Sequence, residues 1–232
     1  MALQAHRFGL MGTDELELLQ RLVQADSRIA DVGANQGIYT LFLARQASLG
    51  HVYAFEPDPT LFASLEANVR RNHVENVTLF NAAAASEPNR LTFQPGRLNR
   101  GDNRIISDVS AGTDTIEVEA IALDQVIPAS RLDLLKIDVQ GFELNVLRGA
   151  TQLLRQNHSL MIVLEFWPFG LRKAGSAPEE LLDFLHKAGF SVFRYSTPPK
   201  RAQFTYRSAD WNQASQFCNL VATRRQILGR SS

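Results

Sequence analysis

The segment Arg28–Gly37 reads Arg-Ile-Ala-Asp-Val-Gly-Ala-Asn-Gln-Gly, and it decides how the rest of the chain is interpreted. The residues before Gly33 are mostly small or β-branched, as expected of a strand that is covered on both faces. Gly33 and Gly37 enclose a turn in which the backbone bends sharply and a ligand can come close. Residues 38–47 have the spacing of a helix, whose first N–H groups would point into that turn. The segment therefore predicts a strand–turn–helix unit with a binding site at the turn.

A second predicted strand, residues 51–55, ends at Glu56 and Pro57. Glu56 follows the glycines by about 20 residues, the separation at which a nucleoside-binding α/β unit places a carboxylate for the ribose hydroxyls. The alternative is an ordinary strand-to-helix turn between parallel strands, which this acidic strand end disfavours. We therefore predict that Glu56 and Pro57 bind the nucleoside part of a cofactor.

The turn favours S-adenosylmethionine over a dinucleotide. A dinucleotide fold uses G-x-G-x-x-G, whose second glycine lets the backbone approach a pyrophosphate, and here Asn35 stands at that position. The Asp31 carboxylate would repel a pyrophosphate but suits an ammonium or a sulfonium, both of which S-adenosylmethionine carries. This disfavours the rival class, a NAD-dependent oxidoreductase. The cofactor-binding residues predicted in this unit are Asp31, Gly33, Ala34, Asn35 and Gly37.

The composition indicates a globular α/β protein without a strongly charged partner. The chain has 232 residues, a formal net charge of +0 and 45% hydrophobic residues, enough for a full core. A neutral chain gives no support to a nucleic acid or a membrane as partner, and we expect neither. No apolar run approaches the roughly 18 residues of a membrane span and no signal peptide is recognisable, so a cytoplasmic protein is expected. The oligomeric state is left open, with a homo-dimer as one alternative.

Strands and helices alternate along the rest of the chain. Apolar runs predict further strands at 76–80, 132–139, 160–166, 190–195 and 217–223. Amphipathic spacing predicts helices at 14–24, 59–71, 142–155 (interrupted near Gly149) and 178–187. This alternation is typical of a doubly wound α/β sheet, and the last two strands predict an antiparallel hairpin at one edge.

Ligands of a doubly wound sheet lie outside the carboxyl ends of its strands. Asp31, Glu56 and Asn81 all fall at such ends. The Asn81 amide suits an adenine edge, so Asn81 and its neighbour Ala82 are assigned to the cofactor site. The alternative is a turn residue that caps the strand end.

Residues 90–120 interrupt the alternation. The segments 91–93 and 115–121 alternate as short strands do, with the polar segment 96–104 between them. A long polar loop in a compact domain is often a lid or a binding loop, and a surface hairpin is the alternative. Asn103 and Arg104 are candidate substrate contacts in this loop.

Two acidic residues lie at the carboxyl ends of later strands. The fourth strand ends at Asp138, two residues after Lys136 and therefore on the same side of the strand. The alternatives are a structural ion pair between the two and an Asp138 that faces cofactor and substrate. The fifth strand ends at Glu165, followed by Phe166 and Trp167, which adds a carboxylate and two aromatic rings at the same edge of the sheet.

Three motifs give the chain a family likeness. They read Asp-Val-Gly-Ala-Asn-Gln-Gly from Asp31, Ala-Phe-Glu-Pro from Ala54, and Lys-Ile-Asp-Val-Gln-Gly-Phe-Glu from Lys136, with Val-Leu-Arg-Gly-Ala after it. From about residue 28 to residue 167 the chain resembles the FkbM family of S-adenosylmethionine-dependent methyltransferases. The resemblance implies a class I methyltransferase fold, a Rossmann-like seven-stranded sheet whose last strand is antiparallel. It makes residues 28–232 the methyltransferase domain, after a helical lead-in at residues 1–27.

The resemblance also implies methyl transfer, commonly to a hydroxyl oxygen of a sugar or a natural product. The family segment usually reads Lys-Ile-Asp-Val-Glu-Gly, and here Gln140 replaces the glutamate. A glutamine is neither a base nor a good ligand for a hard cation. A catalytic or metal-binding role of that glutamate therefore cannot be transferred to this chain.

An alcohol is a weak nucleophile, so a base or a metal should help to remove its proton. We predict Asp138 and Glu165 as the catalytic acidic groups, and Asp138 also as a cofactor contact. Trp167 and Phe166 are candidates for contact with the substrate. Glu143 is a further candidate, for which the alternative is a solvated helix face.

Two alternatives stay open. Two carboxylates at neighbouring strand ends can bind a divalent cation, but no third ligand can be named, so no metal site is predicted. The single cysteine, Cys218, also disfavours a thiolate metal site. A non-catalytic module that binds the nucleoside cofactor, acting as a regulator or partner protein, would keep the same cofactor turn. The preferred function is O-methylation of a hydroxylated small molecule.

Overall fold

The computed structural model describes residues 13–94, 104–105, 115–195, 204–207, 210, 213 and 216–224, with the backbone alone for residues 13, 14 and 104. The described strands, in chain order, are β1 (Arg28–Val32), β2 (His51–Phe55), β3 (Val77–Phe80), β4 (Ala83–Ala84), β5 (Asn89–Gln94), β6 (Arg104–Ile105), β7 (Ile116–Ile121), β8 (Leu134–Ile137), β9 (Met161–Phe166), β10 (Ser191–Arg194) and β11 (Cys218–Thr223). The described helices are α1 (Thr13–Leu22), α2 (Ile38–Gln46), α3 (Pro59–Arg71), α4 (Leu123–Val126), α5 (Glu143–Arg148), α6 (Thr151–Gln156), α7 (Pro168–Lys173) and α8 (Pro178–Lys187).

Seven strands form one sheet in the order β10-β11-β9-β8-β1-β2-β3. β1 pairs in parallel with β2 and β8, and the parallel set extends to β3 and β9. β11 is antiparallel to both of its neighbours, β9 and β10. The doubly wound sheet, its seven strands and its antiparallel last strand are therefore confirmed.

Helices cover both faces of this sheet. One core cluster joins α5, α6 and α8 to the sheet, and a second joins α1 and α2 to it. Ala30 belongs to the first cluster and its neighbour Ile29 to the second, because successive residues of a strand point to opposite faces. In the described part of the chain, no helix has the length and apolarity that crossing a bilayer requires.

The predicted helix 142–155 consists of two short helices, α5 and α6, that separate near Gly149 as expected. Gly149 lies against the carbonyl group of Ala85, so closely that a Cβ atom at this position would collide with it. The break between α5 and α6 therefore lets the chain pass close to Ala85, which directly follows β4.

Residues 83–121 contribute a second, four-stranded sheet in the order β4-β7-β5-β6. The sequence predicts two of its strands but not that they form a sheet of their own, in which Phe93 and Val118 are buried. β5 and β6 pair antiparallel across the polar segment. Asn103 lies outside the described residues, so its contact with a substrate, like that of Arg104, stays a prediction.

The order of the large sheet reverses between β1 and β8. From β1 the chain proceeds outward to β2 and β3, and it returns to the other side of β1 as β8. Such a switch point opens a crevice at the carboxyl ends of the strands, where ligands of α/β sheets bind. Gly33, which follows β1, lies against the carbonyl group of Asp138, which follows β8.

We expect Gly33→Ala to destabilise the protein more than Gly175→Ala. Both glycines have a left-handed φ, +83° and +81°, so alanine costs about 1 kcal/mol of backbone strain at either position. At Gly33 the added methyl group also collides with the Asp138 carbonyl, whereas nothing lies within 4 Å of it at Gly175. Urea unfolding of both variants checks this expectation, and equal losses of unfolding free energy would contradict it.

Candidate active site

The turn after β1 is held by backbone hydrogen bonds at the switch point. The N–H groups of Gly33 and Ala34 both donate to the Phe55 carbonyl, at 3.0 and 2.9 Å. Asn35 has a φ of 51°, and Gly37, with a φ of 88°, comes immediately before α2. The predicted turn residues thus form one hydrogen-bonded backbone loop at the carboxyl end of β1, in which Ala34 and Gly37 are buried and Gly33 and Asn35 are partly buried.

Glu56 fastens this turn from the end of β2. Its Oε2 accepts a hydrogen bond from the Asn35 N–H at 2.8 Å, and its Oε1 accepts one from the Asp58 N–H at 2.9 Å. Burial raises the pKa of Glu56 to about 7, and the two N–H donors limit the rise. Each carboxylate oxygen has a second lone pair, so ionised Glu56 can also accept from the hydroxyls of a ribose.

Asn81 braces the loop that carries Glu56. Its Nδ2 donates to the Glu56 carbonyl at 2.9 Å and to the Pro57 carbonyl at 3.2 Å. The amide of Asn81 therefore caps the end of the strand, which is the alternative named for this residue. The neighbouring Ala82 is buried. A contact between Asn81 and an adenine edge stays a prediction.

Asp31 and Lys136 form a buried ion pair between β1 and β8. Lys136 Nζ lies 3.4 Å from Asp31 Oδ1, and the two side chains are 1% and 0% exposed. Asp31 Oδ2 accepts from the Thr40 hydroxyl at 2.7 Å. The ion-pair partner of Lys136 is thus Asp31 and not Asp138, which corrects the alternative drawn from the sequence. The charge of Asp31 is balanced within the protein, so it attracts a cationic ligand less than the sequence alone suggests.

Glu15 and Tyr39 extend this charged cluster, and neither was predicted from the sequence. The Tyr39 hydroxyl donates to Glu15 Oε2 at 2.7 Å, and Lys136 Nζ lies 4.4 Å from the centre of the Tyr39 ring. Burial opposes the charge of Lys136, but Asp31, Asp138 and Glu15 outweigh it and raise the pKa of the ammonium group. The lead-in helix α1 therefore contributes a carboxylate near the switch point.

Gln140 bridges the two predicted catalytic carboxylates. Its Nε2 donates to Asp138 Oδ1 at 3.0 Å and to Glu165 Oε2 at 2.9 Å. Burial raises the pKa of Glu165 to about 8, the charges of Asp138, Glu143 and Glu15 add to the rise, and the Gln140 hydrogen bond lowers it. The side chains of Asp138 and Glu165 are thus brought together at one edge of the sheet, joined by the residue at which the chain departs from the family motif.

Glu143 is fully buried, which contradicts the alternative of a solvated helix face. Its Oε1 accepts from the Gly141 N–H at 3.0 Å, and its Oε2 is buried without a hydrogen-bond partner. Burial raises the pKa of Glu143 to about 7. In this position Glu143 fastens the turn that carries Gln140, and the geometry gives no support to its predicted contact with a substrate.

The two aromatic residues after Glu165 differ in their surroundings. Phe166 is buried and packs edge-on against Phe204 and Tyr206, each with a ring-centre distance of 5.4 Å. It therefore belongs to the core, contrary to the expectation of a substrate contact. Trp167 is only partly buried and lies 5.7 Å from the ring of Phe169, so it remains a candidate for contact with a substrate.

Metal-ligand geometry is absent among the residues that the structure describes, where no group of three or more His, Cys, Asp and Glu side chains could hold a metal ion. Gln140 occupies the space between two of the carboxylates that would be needed. Burial raises the pKa of Cys218 to about 12, so this residue is a neutral thiol at physiological pH.

Comparison with known proteins agrees with this geometry. Residues 31–192 match the methyltransferase FkbM domain. The chain is 26% identical to the hexuronic acid methyltransferase AglP of Haloferax volcanii, over 77% of this chain and 70% of that protein. It is 30% identical to the 31-O-demethyl-FK506 methyltransferase FkbM of Streptomyces tacrolimicus, over 52% of this chain and 58% of that protein. A Streptococcus mutans protein solved in complex with SAH has the same fold, with a TM-score of 0.53 and 11% identity over 90% of this chain and 94% of that chain.

The fold and the site define a class I S-adenosylmethionine-dependent methyltransferase domain. The chain belongs to the FkbM methyltransferase family, which confirms the resemblance seen in its motifs. It spans 58% of the length of the FkbM relative from Streptomyces tacrolimicus, so the acceptor of that protein is not transferred here.

The residues present fit S-adenosylmethionine. A Cβ atom at Gly33 would collide with the Asp138 carbonyl and one at Gly37 with the Leu65 side chain, so packing inside the protein requires glycine at both positions and keeps this turn narrow at the carboxyl end of β1. Glu56, buried at the end of β2, would supply the carboxylate for the ribose. Asp31 is fully buried and its Oδ1 is paired with Lys136 Nζ at 3.4 Å, so the fit does not rest on Asp31. The turn from Gly33 to Gly37 and the Glu56 carboxylate would hold the nucleoside part of S-adenosylmethionine.

We expect the affinity for S-adenosylmethionine to rise with pH. Ribose hydroxyls donate to a carboxylate, so cofactor binding favours ionised Glu56, whose pKa in the free protein is about 7. From pH 8 to pH 6 the ionised fraction falls about tenfold, so Kd in calorimetric titrations should rise by up to about tenfold. Glu56→Ala should bind weakly at every pH, and Glu66→Ala, at an exposed position of α3, should behave as wild type. A Kd that does not change with pH would contradict this assignment.

We expect Glu143→Gln to flatten the pH dependence of stability. Because burial raises the pKa of Glu143 from 4.5 to about 7, the folded protein binds this proton more tightly than the unfolded chain does. The free energy of unfolding therefore falls as the pH rises from 4.5 to 7, and Glu143 accounts for at most about 3 kcal/mol of this fall. Unfolding free energies at pH 5 and pH 8 measure the slope, with Glu179→Gln at an exposed position as control. An unchanged slope in Glu143→Gln would show that Glu143 is already ionised at pH 5.

Proposed function

We propose that this chain transfers a methyl group from S-adenosylmethionine to a hydroxyl oxygen of a small molecule such as a sugar or a natural product. The observation that carries the proposal is the pair of carboxylates, Asp138 and Glu165, joined by Gln140 beside the cofactor turn. Two relatives support the choice of acceptor by their names, a hexuronic acid methyltransferase and a 31-O-demethyl-FK506 methyltransferase.

S-adenosylmethionine supplies an activated methyl group, and the turn from Gly33 to Gly37 together with Glu56 would hold it. The close approach of Gly33 to the Asp138 carbonyl joins the cofactor turn to the segment that carries the carboxylates. Alignment of the acceptor with the methyl group is a large part of catalysis in such a displacement. A rigid connection between the two halves of the site supplies that alignment.

Glu165 is the general base in this proposal. Its pKa of about 8 makes its carboxylate a stronger proton acceptor than an ordinary glutamate, and it is still ionised in part at physiological pH. Asp138 supports it, because the negative charge of Asp138 is the second cause of that high pKa, after burial. Both residues therefore take part in removing the hydroxyl proton, with Trp167 as a wall for the acceptor.

We expect turnover of labelled methyl groups to rise with pH through about 8, because the base must lose its proton first. Glu165→Gln should lower kcat by about 100-fold or more and abolish this rise, the basic limb of the pH profile. The affinity of this variant for S-adenosylmethionine should not change. Asp138→Asn should move the limb to lower pH, since it removes a charge that raises the pKa of Glu165. Glu87→Gln, at an exposed position, is the control.

The acceptors for this test are sugars and hydroxylated natural products, offered with saturating cofactor. Full activity of Asp138→Asn with an unshifted pH limb would exclude the assigned role of Asp138. Tight cofactor binding without turnover of any hydroxylated acceptor would instead favour the second candidate, a non-catalytic cofactor-binding module, which the glutamine at position 140 kept open.

A further inference from the structure

We infer that Gln140 is a positioning residue for the proton transfer, whose amide clamps the carboxylates of Asp138 and Glu165 side by side and keeps Glu165 ready to accept a proton. The inference rests on the proposed function, since it concerns how the base of that reaction is prepared. It gives a role to the position at which the chain departs from the family motif.

The hydrogen bonds of the clamp use both donors of one nitrogen. Gln140 Nε2 carries two N–H groups, and the two carboxylate oxygens lie at 3.0 and 2.9 Å from it. An amide is neutral, so it joins two negative groups without adding a charge of its own. An ionised glutamate at the same position has acceptors only and would repel both carboxylates.

The backbone around Gln140 aims the amide. Gln140 has a φ of 54° and Gly141 a φ of 108°, so two successive residues of this turn are left-handed. A Cβ atom at Gly141 would collide with the backbone of Gly170 in α7, and the Gly141 N–H donates to Glu143. The turn is thus fixed by α7 on one side and by a buried carboxylate on the other, and the direction of the Gln140 side chain follows from it.

The charges around Glu165 explain why a clamp matters. Asp138, Glu143 and Glu15 approach Glu165 and oppose its ionisation, as burial does. On the side of β10 and β11, Cys218 lies near Glu165 and is a neutral thiol, and Arg194 lies near Cys218. A hydrogen bond from the amide favours the ionised form of the carboxyl group and lowers the pKa of Glu165. Without that bond, less of the base is ionised at a given pH.

Gln140→Met tests the inference, because it removes both donors and keeps the length of the side chain. The pH limb of kcat should move up by about one unit, which makes kcat about tenfold lower at pH values well below the limb. At pH values above the shifted limb, kcat should return to within about threefold of wild type, and Kd for S-adenosylmethionine should not change. Gln140→Glu, which adds a carboxylate, should move the limb at least as far. Gln152→Met, the same substitution at an exposed position of α6, is the matched control.

A second readout does not depend on turnover. The 13C signal of the Glu165 carboxyl group, assigned by its absence in Glu165→Gln, should titrate at a higher pH in Gln140→Met than in wild type. If wild type transfers no methyl group, the proposed function fails, and this titration still tests the clamp. If wild type is active but Gln140→Met lowers kcat equally at all pH values and the signal titrates unchanged, Gln140 is merely structural and the inference is overturned.

Discussion

The close contact between the two backbone turns at the switch point is the constraint on which the rest of the site depends. Gly33 and the carbonyl of Asp138 lie so near to each other that no side chain fits between them. The cofactor turn after β1 and the acidic turn after β8 are therefore one rigid unit, although more than a hundred residues separate them along the chain. Hydrogen bonds of Gly33 and Ala34 to Phe55 add the end of β2 to the same unit. The backbone thus holds the two turns in a fixed relation, which would supply the alignment that methyl transfer requires.

A second constraint is the concentration of acidic groups where little water reaches them. Glu56, Glu143 and Glu165 all have raised pKa values, and in each case burial is the largest cause. The protein limits this cost locally, because N–H donors face Glu56 and Glu143 and Lys136 is paired with Asp31. An acidic group that stays partly protonated near neutral pH is costly for stability but suits a base. In the proposed reaction, the same burial that destabilises the site would therefore prepare Glu165 for proton transfer.

Local patterns in the sequence were enough to predict the sheet and most of the residues at its carboxyl edge. The glycine turn, Glu56 and the paired carboxylates all follow from the rule that parallel strands end at one edge. The partner of Lys136 could not be predicted in this way, because it depends on the register between β1 and β8, which are distant in sequence. Glu15 was not predicted as part of the cluster for a different reason: an acidic residue in the first turn of an amphipathic helix is usually exposed to solvent. Glu143 was ambiguous because its helix is too short for its buried face to be read from the spacing.

The departure at position 140 gains a physical meaning from this geometry. Three carboxylates at positions 138, 140 and 165 would need a proton or a cation among them, since like charges at hydrogen-bond distance oppose one another. The amide of Gln140 satisfies two carboxylates without either, at 3.0 and 2.9 Å. A glutamine in place of the family glutamate would indicate a lost activity if the other groups of the site were arranged around a negative charge at position 140. Here the remaining groups are arranged around the amide, from the left-handed turn to the buried Glu143, which supports the positioning role inferred for Gln140.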